Sequence, residues 1–189
     1  MKTKYSNLLR LALSGALVAS TSLAQTPATP STTPAGKSVA GSMSAAGLNG
    51  RDRKFVTNAA EAGAAEVEMG KLASDHASST EVKSFAARMV TDHQRTGDQL
   101  RSIASAKDVT PPDRPSKKDQ SELDKLSRLK GVDFHKEYVK VQRAAHQDAV
   151  ALFGSESKSG KDSDLKQFAL TTLPTLQDHL HMVQQLSRH

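Results

Sequence analysis

Apolar residues recur at alternating spacings of four and three in the first half of this chain, the pattern of helices that pack along one face. The first such stretch is predicted to form a helix from about Asp52 to His76. The second begins at Ser78-Ser79-Thr80-Glu81, a capping-box pattern in which a hydroxyl and a carboxylate each satisfy a free backbone N–H. Few residues separate the two stretches, so they are predicted to form an antiparallel helical hairpin. The apolar face of the first helix carries Phe55, Ala59, Ala62, Glu66, Met69 and Ala73, and that of the second carries Val82, Ala86, Met89, His93, Thr96, Leu100 and Ile103.

The second half of the chain repeats this periodicity in two further stretches. Asp133 is predicted to cap a third helix that continues to Gly154 or a turn beyond it. A fourth helix is predicted to start near Ser163, with Pro174 marking either a kink or the first residue of a new segment. The third helix carries the apolar positions Phe134, Tyr138, Val141, Ala145, Ala149 and Leu152 with His146 on an adjacent stripe, and the fourth carries Leu165, Ala169, Thr172, Leu176, His179, Val183 and Leu186.

A proline-rich stretch and a short helix connect the two halves. Residues 107–116 contain Pro111, Pro112 and Pro115 and are predicted to form a loop. Residues 117–130 place leucines on one side and are predicted to form a short helix that Gly131 ends. The fold predicted from these elements is all-α: an antiparallel four-helix bundle with a short extra helix in the crossover between helices two and three.

The N-terminal residues have the composition of an export signal. Three basic residues, Lys2, Lys4 and Arg10, precede the apolar run 11–19, and Ser22-Leu23-Ala24 has the small-x-small form of a cleavage site. An uncleaved membrane anchor is the alternative, but the run is about half of the ~20 apolar residues that span a bilayer. Residues 1–24 are therefore predicted to be a signal peptide, and the mature protein is expected to be periplasmic or extracellular, with an association with the outer membrane left open.

The next segment, residues 25–50, is rich in Thr, Pro, Ser and Ala. Such a composition buries too little apolar surface to offset the entropy of ordering, so a flexible tether is predicted. Residues 51–189 then form the bundle domain. No membrane-spanning segment is expected after cleavage of the signal.

Charge and composition exclude several classes of partner and site. The chain has no cysteine, so disulfides and thiolate metal sites are not available. Loss of the three basic residues of the signal lowers the net charge from +6 to about +3. The remaining Lys and Arg are interspersed with acids and with few aromatics, so nucleic-acid binding is not expected. An envelope surface, or a second copy meeting this chain through helix faces, remains open as a partner.

Four polar side chains fall on the apolar faces of the predicted helices. They are His93, His146 and His179, one on each of three helices, and Glu66 on the remaining one. Burying such groups costs several kcal/mol unless they are hydrogen-bonded or bound to metal. Imidazole and carboxylate together suit zinc, iron, copper or nickel, and bundle cores are built to hold such sites. These four residues are the candidate metal ligands, with no further cofactor indicated.

Other interpretations of the same residues are open. The histidines could form a buried hydrogen-bond network in a non-catalytic interaction or envelope-stress module. A di-iron oxidase is poorly supported, because that site needs a Glu-x-x-His pair on each of two helices, and the residues three before the histidines are Val90, Arg143 and Leu176. No nucleophile elbow, metalloprotease motif or phosphate loop is present, so no catalytic residue is nominated and an enzyme is not the favoured interpretation.

The motifs Met-Val-x-Asp-His, Ala-Ala-His and Leu-Pro-x-Leu-x-x-His, at residues 89–93, 144–146 and 173–179, occur in stretches such as GVDFHKEYVKVQRAAHQDAVALF. From Arg51 onward the chain resembles the bacterial domain-of-unknown-function family 4142, often labelled as an outer membrane protein. The resemblance implies an exported, ferritin-like four-helix bundle. It also implies that the three histidines are family positions, with Asp92, Glu66 and Tyr138 as neighbouring ones. The family has no settled activity, so the resemblance implies no reaction.

Overall fold

The computed structural model describes residues 47–187, so the predicted signal peptide and most of the predicted tether lie outside it. Within this range every regular secondary-structure element is a helix, and no helix is both long and apolar enough to cross a membrane. The helices are α1 (Gly50–His76), α2 (Thr80–Ser105), α3 (Lys117–Leu126), α4 (Gly131–Ser159) and α5 (Ser163–Leu186). The predicted all-α bundle, with one short helix in the crossover, is confirmed.

The starts of the helices follow from side chains that satisfy free backbone N–H groups. Asn49 accepts from the N–H groups at the start of α1, Ser79 from that of Val82 in α2, and Asp162 from those at the start of α5. The predicted start of the second helix is thus confirmed, with Ser79 as its cap. Leu48, the residue before the first cap, is buried although it falls within the segment 25–50 that is predicted as a tether.

The junction between α3 and α4 differs from the prediction. The short helix ends at Leu126 and not at Gly131, and α4 begins at Gly131, so Asp133 is not its cap. Gly131 has a φ of +58°, a conformation that glycine adopts without strain, and this turns the chain directly into the next helix. Asp133 lies in the first turn of α4 instead, where a carboxylate still interacts favourably with the helix dipole.

Helix α5 continues through Pro174, so the alternative in which Pro174 is the first residue of a new segment is wrong. Proline lacks the N–H that would bond the carbonyl of Leu170, one turn earlier. Leu170 is 56% exposed, and at such a position water can replace the missing partner. The other uncertain boundary, the end of α4, falls at Ser159, the longer of the two predicted lengths.

Contacts at the two ends of the bundle fix its topology. The ring Nδ1 of His76, at the end of α1, lies 2.7 Å from the carbonyl oxygen of Leu129, just before α4. At the opposite end, Asp52 of α1 accepts hydrogen bonds from the backbone N–H groups of Lys161 and Asp162, just before α5. The crossover from α2 to α4 therefore runs the length of the bundle, and neighbouring helices are antiparallel, as in ferritin-like folds.

The apolar core has two parts, separated by a polar layer. One part includes Met69, Phe85, Met89, Phe134, Tyr138 and Val183, and the other includes Phe55, Leu100, Phe153, Leu165, Phe168 and Leu176. On α2 the histidine lies between Met89 and Leu100, and on α5 it lies between Leu176 and Val183. The fold thus places the inward-facing histidines at one level, between two apolar layers.

Candidate metal centre

The three predicted histidines meet in this layer. His93, His146 and His179 are 8%, 1% and 1% exposed. Their ring centroids lie 5.7 Å apart for His93 and His146, 5.5 Å for His93 and His179, and 5.4 Å for His146 and His179. Each ring comes from a different helix, so the layer forms only when the two hairpins pack together.

At least one nitrogen of each ring is buried and has no hydrogen-bond partner among the described residues. These atoms are Nε2 of His93, Nε2 of His146 and Nδ1 of His179, and all three are buried. Each histidine can offer one ligand atom to a group whose members all lie within 4.8 Å of one another. Three buried imidazoles that converge in this way can hold a metal ion.

Asp92 orients the ring of His179. The two residues lie on the neighbouring helices α2 and α5, with Oδ2 of Asp92 2.9 Å from Nε2 of His179. Burial alone would raise the pKa of Asp92, but the hydrogen bonds from His179 and Arg88 outweigh it and hold the pKa below its usual range. The ionised carboxylate accepts a hydrogen bond from Nε2–H, so the neutral ring keeps a free lone pair on Nδ1. Burial also lowers the pKa of His179, which favours that neutral form.

A backbone carbonyl fixes the ring of His146 in the opposite tautomer. Nδ1 of His146 lies 2.9 Å from the carbonyl oxygen of Gln142, one turn earlier on α4. A carbonyl oxygen can only accept, so Nδ1 carries the proton and the lone pair of the neutral ring is on Nε2. In metalloproteins, ligating histidines commonly donate their second nitrogen to a carboxylate or a backbone carbonyl, and His179 and His146 show both arrangements.

His93 completes the layer from α2. Burial lowers its pKa to about 3, and the neighbouring His146 and His179 add to the effect. The ring is therefore neutral at ordinary pH, which is the form that binds metals. No hydrogen bond joins any two of these three histidines among the described residues. The rings therefore do not share a proton with one another.

Glu66 lies beside the histidine group and outside it. Its Oε1 is 3.8 Å from Nδ1 of His146, the nitrogen that is hydrogen-bonded to the backbone carbonyl of Gln142. Its Oε2 accepts a hydrogen bond of 2.7 Å from Nε2 of Gln142. Burial raises the pKa of Glu66, while His146 and the bond from Gln142 act to lower it. The carboxyl thus belongs to a buried Glu–Gln–His chain.

The sequence prediction missed Gln142, although a signal for it was present. Gln142 is fully buried and joins Glu66 to the carbonyl that holds His146. It stands four residues before His146, so the two share one face of α4. A glutamine at that spacing from an inward-facing histidine is a candidate for the same polar layer.

Tyr138, predicted as a neighbour of the site, lies in the adjoining apolar layer. Its ring stacks on Phe134 at 5.4 Å and meets Phe85 edge-on at 6.3 Å. The hydroxyl is buried without a hydrogen-bond partner among the described residues. Burial, together with the charge of Glu66, raises its pKa well above the ordinary value. Tyr138 therefore stays protonated and packs beneath the histidines.

Comparison with known proteins supports the fold and leaves the site unassigned. A family model described as "Domain of unknown function (DUF4142)" matches residues 37–186, so the match begins inside the segment predicted as a tether. The crystal structure of a DUF305 fragment from Deinococcus radiodurans is similar in structure, with a TM-score of 0.67 and 14% sequence identity, covering 76% of this chain and 99% of that one. At this identity the likeness shows the helical fold alone. No curated protein matches the chain.

Proposed function

The chain belongs to the DUF4142 family, whose function is unknown, and we propose from the site that it is an exported protein that binds one divalent transition-metal ion. The ligands are His93, His146 and His179. One observation carries the proposal: His93, His146 and His179 are buried, each has a ring nitrogen without a partner among residues 47–187, and each can bring one ring nitrogen within 4.8 Å of the others.

The assigned ligand atoms are Nε2 of His93, Nε2 of His146 and Nδ1 of His179. Metal–nitrogen bonds of about 2.1 Å set ligand atoms about 3.4 Å apart in a tetrahedral site. Metal binding would therefore shorten the distances between the ligand nitrogens by roughly 1 Å, which small rotations of the histidine side chains can achieve. Because the second nitrogens of His146 and His179 are already held, their ring orientations are preset.

A purely structural hydrogen-bond network explains the layer less well. Such a network would satisfy its buried nitrogens, since an unpaired buried polar group costs about 1–3 kcal/mol. Here one nitrogen on each ring is unpaired among residues 47–187. Metal binding accounts for all three with a single ion, which supports it over the network.

The ligand set determines the class of metal. Neutral imidazoles suit zinc, copper, nickel and iron(II), and the absence of cysteine in the sequence leaves no thiolate to favour a softer ion. Three protein ligands also leave one coordination position for water or another molecule, the arrangement of open zinc sites. Glu66 is proposed to act beside the ligands, through Gln142 and His146, and not as a fourth ligand.

Metal titration of the full chain, purified without a histidine tag, tests the proposal. Zinc or nickel is expected to bind at one ion per chain, and His93→Ala, His146→Ala and His179→Ala are each expected to abolish tight binding. The matched control is His181→Ala, because His181 is exposed on α5, two residues from His179. Absence of binding by the wild type, or unchanged binding by the three variants, would leave the histidines as a structural network.

Glu66→Gln distinguishes the role of the carboxyl. If Glu66 acts only beside the ligands, this variant is expected to keep one bound ion with an affinity within about tenfold of the wild type. Loss of binding as complete as in the histidine variants would make Glu66 a ligand.

Export is the second part of the proposal and rests on the sequence of residues 1–24. The N-terminus of the mature protein, isolated from cells that express the full chain, is expected at Gln25. Retention of residues 1–24 in the folded product would contradict export by cleavage of a signal peptide.

A further inference from the structure

A cavity of about 600 Å³ leads to the histidine layer from the side of the bundle. Residues of α1, α2, α4 and α5 line it, with part of α3 along its edge, and His93 and His146 are both among the lining residues. Asn58 and Asp148 line its outer part and are exposed. The cavity therefore connects solvent to two of the three proposed ligands, and its volume is in the range of small-molecule sites.

Two glycines on the cavity wall are not explained by helix packing. A Cβ atom added at Gly63 or Gly97 would meet no neighbouring atom within 4 Å. At Gly70, by contrast, it would lie 2.7 Å from the side chain of Val90 and 2.9 Å from a backbone oxygen of α2, so that glycine permits the close approach of α1 and α2. Glycine within a helix costs about 1 kcal/mol relative to alanine. At Gly63 and Gly97 the effect is to keep the cavity wide.

The remaining wall is made largely of small apolar side chains, and its polar groups are mostly acceptors. The buried Nε2 of His93 and the buried Oε2 of Glu122 have no hydrogen-bond partner among the described residues. Carboxylates outnumber lysines on the lining: Glu61, Glu66, Asp119, Glu122, Glu137 and Asp148 against Lys118, Lys125 and Lys140. This charge balance disfavours an anionic ligand.

We propose that the cavity binds a small, uncharged or cationic organic molecule, which coordinates the metal through a nitrogen atom and packs its apolar part against the wall around Gly63 and Gly97. The inference rests on the proposed metal site, because the ligand's nitrogen fills the coordination position that three histidines leave open. A neutral nitrogen donor brings no negative charge into a cavity lined by carboxylates. Azoles meet both conditions directly, and an amine meets them when it releases its ammonium proton to solvent as it coordinates.

Cobalt-loaded full chain provides the test, because cobalt(II) has visible absorption bands that change when a ligand is added. The probes are imidazole and 4-phenylimidazole, which share the donor atom and differ in the apolar ring. The wild type is expected to bind 4-phenylimidazole at least about tenfold more tightly than imidazole, since the phenyl ring is buried in the cavity. Benzoate, an anion of similar size, is expected to bind more weakly than 4-phenylimidazole.

The variant Gly97→Leu narrows the cavity one turn from His93. The variant is expected to bind the two azoles with about equal affinity, because the phenyl ring no longer fits in the cavity. Its affinity for cobalt is expected to stay within about twofold of the wild type. Gly63→Leu narrows the cavity from α1 and should do the same, which covers the case that one variant fails to fold. The matched control is Gly154→Leu, because a Cβ there also meets open space and Gly154 does not line the cavity.

The outcomes separate this inference from the proposed function. Normal cobalt binding with equal affinity for the two azoles, or with tighter binding of benzoate, overturns the ligand assignment and leaves the metal site standing. A preference that persists in both Gly97→Leu and Gly63→Leu also overturns it. Failure of the wild type to bind cobalt, zinc or nickel overturns the metal site itself, and the ligand inference with it.

Discussion

Replacing Asp92 by alanine tests whether the hydrogen bond to His179 prepares that ring for a metal. The carboxylate accepts from Nε2 of His179 at 2.9 Å, and its loss frees the ring to rotate and to change tautomer. Removal of such a supporting group typically weakens metal binding by about 10- to 100-fold. This corresponds to about 1.4–2.7 kcal/mol of binding free energy. The buried Nε2–H also loses its acceptor, so the metal-free variant is expected to be about 1–3 kcal/mol less stable.

Asp178→Ala is the matched control for this prediction. Asp178 is half-exposed and pairs with Arg88 at 2.6 Å, and Arg88 also pairs with Asp92. Both variants therefore remove one negative charge beside the same arginine, and only Asp92→Ala removes the partner of His179. Zinc affinity, measured by competition with a chromogenic chelator, is expected to fall in Asp92→Ala and to stay within about twofold in Asp178→Ala. Equal zinc affinities of the wild type and Asp92→Ala would refute the orienting role of Asp92. An equal loss of zinc affinity in both variants would show that the removed negative charge is the cause.

Three further predictions concern stability, measured by urea unfolding with a chelator present. Gly70→Ala is expected to destabilise the protein by about 1–3 kcal/mol, because the new Cβ meets α2 at 2.7–2.9 Å. Gly63→Ala has open space around the new Cβ and is expected to stabilise the protein by about 0.5–1 kcal/mol. A change of the same sign in the free energy of unfolding of both variants would contradict the close approach of α1 and α2 at Gly70. Gln142→Leu leaves the buried Glu66 carboxyl without its hydrogen-bond donor and is expected to lower the free energy of unfolding by about 2 kcal/mol. The double variant Gln142→Leu/Glu66→Met is expected to recover most of this stability. No recovery would show that the unpaired Glu66 carboxyl is not the cause of the loss. Because the pKa of His93 is about 3 when folded and 6.5 ordinarily, the unfolded chain takes up a proton below about pH 6.5 that the folded protein does not. Stability should therefore fall by about 2–3 kcal/mol more between pH 7 and about pH 4.5 in the wild type than in His93→Leu, and an identical pH dependence in the two would contradict the burial of a neutral ring.

The helices could be predicted from the sequence because apolar periodicity and side-chain caps are local signals. Ser79 and Asp162 act within three residues of themselves, and the faces around Met89 and Leu176 follow the helical repeat. The start of α4 could not be placed, because Asp133 and Gly131 both give local signals and the choice depends on the φ of Gly131. Continuation through Pro174 depends likewise on the exposure of Leu170, a property of the assembled bundle.

The histidine layer could be predicted in composition but not in geometry. Each of His93, His146 and His179 lies on an apolar face in the sequence, and their common level depends on α4 reaching Ser159, which the sequence left open. The position of Glu66 beside His146 depends on Gln142, a contact between α1 and α4 that no local pattern encodes. Ring tautomers, too, are set by partners on other helices or on the backbone. The assignment of a metal stays a prediction.

Anomalous diffraction tests the central claim most directly. Crystals of the zinc-loaded chain, measured on both sides of the zinc absorption edge, are expected to show one strong anomalous peak per chain. The peak should lie about 2.1 Å from Nε2 of His93, Nε2 of His146 and Nδ1 of His179. A peak bonded through the other nitrogens, a peak elsewhere on the chain, or an intact histidine layer without any peak would contradict the account.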